Sequence, residues 1–258
     1  MKDSILHFYD ELADDYHLLF VDWHEAISRQ GELLNKIIQS KINLACTNNT
    51  TLLDCSCGIG TQAIGLAKHG YKVTATDIST VAVKRATKEA ANYGVNINFS
   101  VADFRSLNTD VSGLFNIILS ADNAIPHLLT DEELYKAFRN MHAKLLKNGL
   151  LIITIRDYDA LVKEKITSTQ PTILDGGNRM VFQVYDWAQD EKMYTVNQFI
   201  MQVINGEWKT KHRRTVYRAL LRQELNTVLE ATGFGNIEWH FPSQTGYYQP
   251  ILTARKNN

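Results

Sequence analysis

Leu52-Leu53-Asp54-Cys55-Ser56-Cys57-Gly58-Ile59-Gly60-Thr61 is the stretch around which the rest of the chain is organised. An apolar run ends in an acid, two glycines follow, and a helical pattern with Ala63, Ile64, Leu66 and Ala67 on one side begins near Thr61. A helix leaves its first backbone N–H groups without partners and its positive dipole end open, so a glycine loop leading into one makes a pocket for an anion. The stretch therefore reads as strand, cofactor loop and helix.

Working outward, strand patterns at 50–55, 72–78, 97–102, 115–121 and 149–155 alternate with helical patterns at 61–69, 79–93 and 131–146, with Gly70, Gly94 and Gly149 placed as stops. That alternation forces a parallel, doubly wound, Rossmann-like α/β sheet with right-handed crossovers. Two helical patterns precede it, 4–19 with Ile5, Phe8, Tyr9, Leu12, Tyr16 and Leu19, and 25–42, leading through the polar turn Cys46-Thr47-Asn48-Asn49. Residues 1–45 form an expected N-terminal helical cap. After Tyr158 the rhythm changes to β-branched and aromatic strands at 180–187, 193–204 and 207–220, turning at 189–191 and at Asn205-Gly206. We read 159–220 as an inserted antiparallel β lid. A helix at 222–232, stopped by Gly233, and strands at 236–241 and 248–254 return the chain to the core, which comprises 46–158 and 221–258 and seven strands in all.

The length of 258 residues suits one large domain with an insertion rather than two equal domains. No apolar run approaches a bilayer span and no membrane partner is expected, while the start Met1-Lys2-Asp3-Ser4-Ile5-Leu6-His7 lacks a signal-peptide core, so a cytoplasmic setting is the expectation. A net charge of −1 argues against a nucleic-acid partner. Cys46, Cys55 and Cys57 lack further ligands at zinc spacing, so no metal is expected and the thiols read as buried. The run Lys209-Thr210-Lys211-His212-Arg213-Arg214 divides between two faces of a strand, and a solvated, charged edge explains it better than a nucleic-acid patch.

Gly58-x-Gly60-x-x-Ala63 with Asp77 at the end of the second strand satisfies a dinucleotide fingerprint, which keeps NAD open. Against NAD stands Asp54, whose carboxylate would repel a pyrophosphate. S-adenosylmethionine suits the loop better, because the loop amides can receive its carboxylate while Asp54 favours its ammonium. Asp103, beside Phe104, adds an acceptor and an apolar wall for an adenine. Each acid alone would read as a cap or turn residue, but Asp54, Asp77 and Asp103 close three successive parallel strands, where ligands of open α/β sheets bind.

On these residues the chain resembles the class I S-adenosylmethionine-dependent methyltransferases from Tyr9 to about Lys256, with Ser56 where many members carry another glycine. The resemblance implies Asp77 on the ribose hydroxyls, Asp103 on the adenine amino group, and an antiparallel last strand inserted beside the sixth. Ile78, Ala121 and Asp122, at neighbouring strand ends, complete the implied donor set with Ser56, Gly58 and Gly60. Two stretches are similar to glycine N-methyltransferases and related small-molecule enzymes: Asp122-Asn123-Ala124-Ile125-Pro126-His127-Leu128, and Leu151-Ile152-Ile153-Thr154-Ile155-Arg156-Asp157-Tyr158-Asp159. By that likeness Tyr16 covers the cofactor, Arg29 contacts the methionyl carboxylate, Asn123 and His127 line the site and Arg156 holds the acceptor's carboxylate.

The residues taken alone leave bland readings beside these. Arg156 also fits a snorkelling surface arginine, His127 a hydrogen-bonded loop histidine, and Tyr247 and Tyr248 edge-strand packing. Methyl transfer from a sulfonium needs in-line approach and exclusion of water more than a strong base, so positioning residues should dominate. The expectation is methyl transfer to a small molecule, an amine bearing a carboxylate, with S-adenosylhomocysteine as the other product. The alternatives are O-methylation of a small acid or phenol, an NAD-dependent oxidoreductase, and a donor-binding regulator without turnover.

Overall fold

The computed structural model describes residues 2–42 and 49–257, so Cys46 and most of the polar turn before the first strand lie outside the described residues. The elements are α1 (Lys2–Leu12), α2 (Trp23–Lys41), β1 (Thr51–Asp54), α3 (Thr61–Lys68), β2 (Lys72–Asp77), α4 (Thr80–Asn92), β3 (Asn98–Val101), the short α5 (Leu107–Asp110) and β4 (Phe115–Ser120). There follow α6 (Asp131–Lys144), β5 (Leu145–Thr154), α7 (Tyr158–Glu164), β6 (Thr172–Leu174), β7 (Arg179–Trp187), β8 (Met193–Ile204), β9 (Glu207–Arg218), α8 (Arg222–Ala231), β10 (Phe234–His240), α9 (Pro242–Thr245) and β11 (Ile251–Lys256).

Among the described residues the main sheet has seven strands in the order β10-β11-β5-β4-β1-β2-β3, parallel except that β11 runs antiparallel to both its neighbours. The strand order reverses between β1 and β4, which opens a crevice beyond their carboxyl ends. The central strands are apolar because both faces are covered: Leu52, Leu53, Ile117, Ile118, Leu119, Ile152 and Ile153 are fully buried. On one face α2 lies against α3 with almost no side chain between them. A Cβ on Gly65 would sit 2.5 Å from the Ile27 carbonyl oxygen, and one on Gly31 2.7 Å from the Gly65 backbone, so both glycines are required by the close approach.

Strands β6-β7-β8-β9 form a second, antiparallel sheet with long, in-register pairing of β7 to β8 and β8 to β9. Its inner face packs on the core through Tyr185, Tyr194, Val196 and Tyr217. The cap packs on the same sheet through Phe8, Leu12 and Ile200.

Three expected elements differ. The helix expected over 4–19 ends at Leu12 and resumes as a 3₁₀ turn at Tyr16–Leu19. The Arg85 guanidinium takes the Ala13 and Asp14 carbonyls at 2.6 and 2.9 Å, acceptors a continuous helix would have needed for itself. The helix expected over 131–146 stops at Lys144, and the strand expected from 149 starts at once with Leu145, through a register shift that absorbs 146–149. The last strand begins at Ile251 rather than 248, after Pro250, which has no N–H for a ladder. The pattern also left α7, β6 and the 3₁₀ turn Ile125–His127 unpredicted, all too short for a period to register.

Candidate active site

β1 delivers Asp54 to the crevice, and the chain then turns through Gly58 and Gly60 into α3, with Gly60 as N-cap at a φ of 96° that excludes most side chains. Asp54 is fully buried. Its Oδ1 accepts from the Ser56 N–H at 3.3 Å, while Oδ2 has no hydrogen-bond partner among the described residues. Burial pushes its pKa up to about 7; the Ser56 N–H opposes the rise and the nearby Asp77 charge adds to it. Asp77 ends β2 and accepts from the Gly58 and Ser79 N–H groups, each at 2.9 Å. Asp103, after β3, is gripped by the Arg105 guanidinium at 2.7–3.1 Å, and Arg105 also pairs with Glu133.

A narrow cavity of about 70 Å³ runs along these strand ends. Ser56, Gly58, Asp77, Ile78, Asp103, Phe104, Ala121 and Asp122 line it from the core, and Ile5, Tyr9 and Tyr16 from the cap. Nearly the whole expected donor set thus converges, with Asp54 and Gly60 adjoining Ser56 and Gly58 in the same loop. Arg29 does not join it: its side chain is exposed, donates to the Gly246 carbonyl at 3.4 Å, and lines a second, larger cavity.

That second cavity, about 930 Å³, lies between cap, core and lid. Tyr9, Tyr16 and Asp122 line both cavities. The chain leaves β4 through Asp122 and Asn123 at φ values of 58° and 65°, two consecutive non-glycine residues in the left-handed region. Thr154 holds them there, its Oγ1 accepting from the Asp122 N–H at 2.8 Å and its carbonyl from the Asn123 N–H at 3.0 Å. Backbone strain kept in place by its surroundings concentrates at functional sites. The Asp122 carboxylate accepts from the Tyr16 hydroxyl on Oδ2 and the Tyr248 hydroxyl on Oδ1, both at 2.5 Å. Asn123 Oδ1 accepts from the Arg156 N–H at 3.1 Å and the Tyr158 hydroxyl at 3.0 Å, while its buried Nδ2 has no partner.

Arg156 is not a snorkelling surface residue. Its guanidinium donates to Gln183 Oε1 at 2.7 Å and the Tyr194 hydroxyl at 3.1 Å, and lies 5.4 Å from the ring centres of both Tyr185 and Tyr217. No ion pair among the described residues includes it. A guanidinium held by neutral partners and aromatic faces, without a carboxylate, is arranged to receive an anion bidentately.

His127 follows the bland reading. The residue is 6% exposed; its ring lies tilted against that of Tyr217 with centres 4.2 Å apart, accepts from the Tyr9 hydroxyl at 2.8 Å and presents Nδ1 to the Val216 carbonyl at 3.3 Å. Burial drives its pKa down to about 3, with the Val216 carbonyl opposing and the Arg156 charge reinforcing. The ring is placed to hold Tyr9, and its burial favours the neutral form.

Pattern reading missed Tyr158, Gln183, Tyr185, Tyr194 and Tyr217 around Arg156. The signal was alternation: Gln183 and Tyr185 share a face of β7, and the register Tyr194↔Tyr217 and Gln183↔Gln198 gathers the polar and aromatic side chains of three strands onto the face toward Arg156. The basic run on β9 also resolves. Lys211 and Arg213 turn inward and pair with Asp15 of the cap, each at 2.6 Å, so half of the supposed edge charge is a clasp between lid and cap.

Residues 52–149 match the family model of a methyltransferase domain. That segment, which holds the glycine loop and the three acids, is therefore a methyltransferase domain. A glycine/sarcosine N-methyltransferase of Parasynechococcus marenigrum is 28% identical over 160 residues, 61% of this chain and 55% of that one. A ubiquinone biosynthesis O-methyltransferase of Caulobacter vibrioides is 34% identical over 119 residues, 45% of each chain. The chain spans about half the length of such relatives, 51–57% in three of them. Among solved structures, an S-adenosylmethionine-dependent methyltransferase from Clostridium acetobutylicum superposes with a TM-score of 0.73 over 90% of this chain and 92% of that one, at 14% identity, a likeness of fold.

The residues present fit the S-adenosylmethionine expected from the sequence. The unpartnered, buried Asp54 Oδ2 matches a cationic ammonium, Gly58 has nothing within 4 Å of where a Cβ would stand, and Asp77 and Phe104 line the neighbouring cavity.

Proposed function

We propose that this protein is an enzyme that transfers a methyl group from S-adenosylmethionine to the amine of a small carboxylate. The observation that carries the acceptor's class is Arg156: a guanidinium facing a large cavity, caged by Tyr185 and Tyr217, with no ion-pair partner among the described residues. A half-buried cation whose partners are all neutral gains when a ligand supplies the counter-charge. The unpartnered Asn123 Nδ2 adds a donor beside it.

In this reading Asp54, Gly58, Gly60, Asp77 and Asp103 hold the donor, which supplies an electrophilic methyl group. Asn123 and Arg156 hold the acceptor's carboxylate. Tyr9 and Tyr16, shared by both cavities, exclude water from the junction and limit the approach to one direction, the kind of contribution positioning makes to a displacement reaction. His127 keeps Tyr9 in place. The likeness to glycine/sarcosine N-methyltransferases supports an amine acceptor.

The test is a labelled-methyl screen with amine, acid and phenol panels, preceded by thermal shifts with S-adenosylmethionine and NAD. Expected are stabilisation by S-adenosylmethionine alone and labelled product with amino carboxylates. Stabilisation by NAD instead, or donor binding with no transfer to any member, overturns the reading.

A further inference from the structure

We propose that Asp122 selects the acceptor's reacting group, admitting an amine and rejecting a phenol or an acid; the inference rests on the acceptor reading above. Of the residues that border both cavities, Asp122 carries the one acid. It stands where donor and acceptor meet, next in the chain to Asn123 and its unpartnered Nδ2. No cation among the described residues pairs with it. Its partners are hydroxyls, Tyr16 from the cap and Tyr248 from the segment before β11, one on each oxygen at 2.5 Å.

Those two hydroxyls fix the carboxylate's plane without neutralising its charge, and each oxygen keeps a lone pair for a further donor. The backbone at Asp122 is held at a φ of 58° by Thr154, so the carboxylate's placement is built into the strand end rather than left to a flexible loop.

A fixed, hydrogen-bonded anion at this point discriminates by chemistry. An amine presents N–H groups, and in its protonated form a positive charge, to Asp122. A neutral hydroxyl can offer one O–H and no charge. A phenolate or carboxylate offers only lone pairs and is repelled. Arg156 and Asp122 are thus two uncompensated charges of opposite sign bordering the same cavity, a complement for a zwitterion. This differs from a donor-holding role for Asp122, and the two roles predict different losses.

The experiment measures binding to the S-adenosylhomocysteine-loaded protein of matched pairs that differ only at the reacting group: glycine and glycolate, alanine and lactate, phenylalanine and phenyllactate. The wild type should hold the amino member of the best pair about tenfold to a hundredfold tighter, the range for a hydrogen bond to a charged group. In Asp122→Asn, which keeps the side chain's size, the preference should fall within about threefold while S-adenosylhomocysteine affinity is unchanged. A wild type that prefers the hydroxy acid overturns the proposal without any variant. So does an Asp122→Asn protein that keeps the amine preference, or one that loses S-adenosylhomocysteine affinity and leaves the pairs alone, which would place Asp122 with the donor. Binding of no member of any pair sinks the carboxylate-acceptor reading itself, and this inference with it; a lost amine preference with intact carboxylate binding sinks the inference alone.

Discussion

The two ends of the crevice are built differently. At the donor end the groups that matter stand at the tips of β1, β2 and β3, on short loops whose backbone does much of the work: the Gly58 and Ser79 amides on Asp77, and the Ser56 amide on Asp54. At the acceptor end no single segment supplies the site. Tyr16 from the cap, Asp122 and Asn123 after β4, Arg156 after β5, Gln183 and Tyr194 from the lid and Tyr248 before β11 meet largely through side chains. A site carried by strand tips is set by the sheet and tolerates divergence elsewhere. A site assembled from several distant segments can change its ligand while the fold stays put, in keeping with N- and O-methyltransferases among the relatives of one chain.

The largest effect should come from breaking the acceptor end at its centre. Arg156→Ala is expected to weaken the best acceptor by roughly 2–5 kcal/mol, the range for truncating one partner of a buried charge pair, while leaving S-adenosylmethionine affinity within a factor of about two. Calorimetry on each ligand separates the ends; equal loss of both ligands would show them to be one site.

Donor binding should carry a pH signature that acceptor binding lacks. Burial raises Asp54 to about 7 in the free protein, so at lower pH it is neutral and cannot attract an ammonium. S-adenosylmethionine affinity should therefore rise about tenfold per unit between roughly pH 5 and 6.5 and level off above about 7. Isothermal titration of wild type and Asp54→Asn tests it: the variant should bind weakly with a flat profile, and an unchanged slope would remove Asp54 from the donor site.

The clasp between lid and cap gives a smaller effect. Asp15 is buried and accepts from Lys211, which is 44% exposed, and Arg213, which is 12% exposed. Asp15→Asn should lower stability by about 1–2 kcal/mol, discounted for the solvent screening of Lys211, and speed donor release measured by stopped flow. Unfolding by urea with an unaltered release rate would confine the clasp to a structural role.

The smallest expected change concerns His127. Its folded pKa, near 3, lies below the unfolded value of about 6.5, so protonation favours the unfolded chain, and its contribution is intact above about pH 6.5 and lost as pH falls. His127→Asn should lose about 1 kcal/mol less than the wild type between roughly pH 6.5 and 5.5. Parallel acid slopes in denaturant titrations of both proteins would show that the histidine is not held neutral.

Legibility followed the same division. Asp54, Gly58, Gly60, Asp77 and Asp103 could be read because a strand-loop-helix unit announces itself within about ten residues, by apolar run, acid, glycine and helical period. Arg156 was found at the end of an apolar strand, but its cage was not, because Tyr185, Tyr194 and Tyr217 are separated in sequence and are brought together only by the register of β7, β8 and β9. Arg29, expected at the methionyl carboxylate only by likeness, lines the larger cavity instead, since a helix's rotation is decided by what it packs on; here Gly31 presses on Gly65. His127 kept both a site-lining and a bland reading in the sequence because a loop position says nothing of burial.

By itself, the sequence determined the alternation of strands and helices, the glycine loop and the three acids, all of which rest on local periodicity and on residues with few conformational options. Tertiary structure alone decided that Arg156 borders a large cavity with no ion-pair partner among the described residues, that Asp122 stands between two tyrosines from distant segments, and that Lys211 and Arg213 clasp Asp15. Each of these depends on contacts across many residues, where the energy of bringing side chains together is set by the packing of the whole sheet and not by any neighbour in the chain.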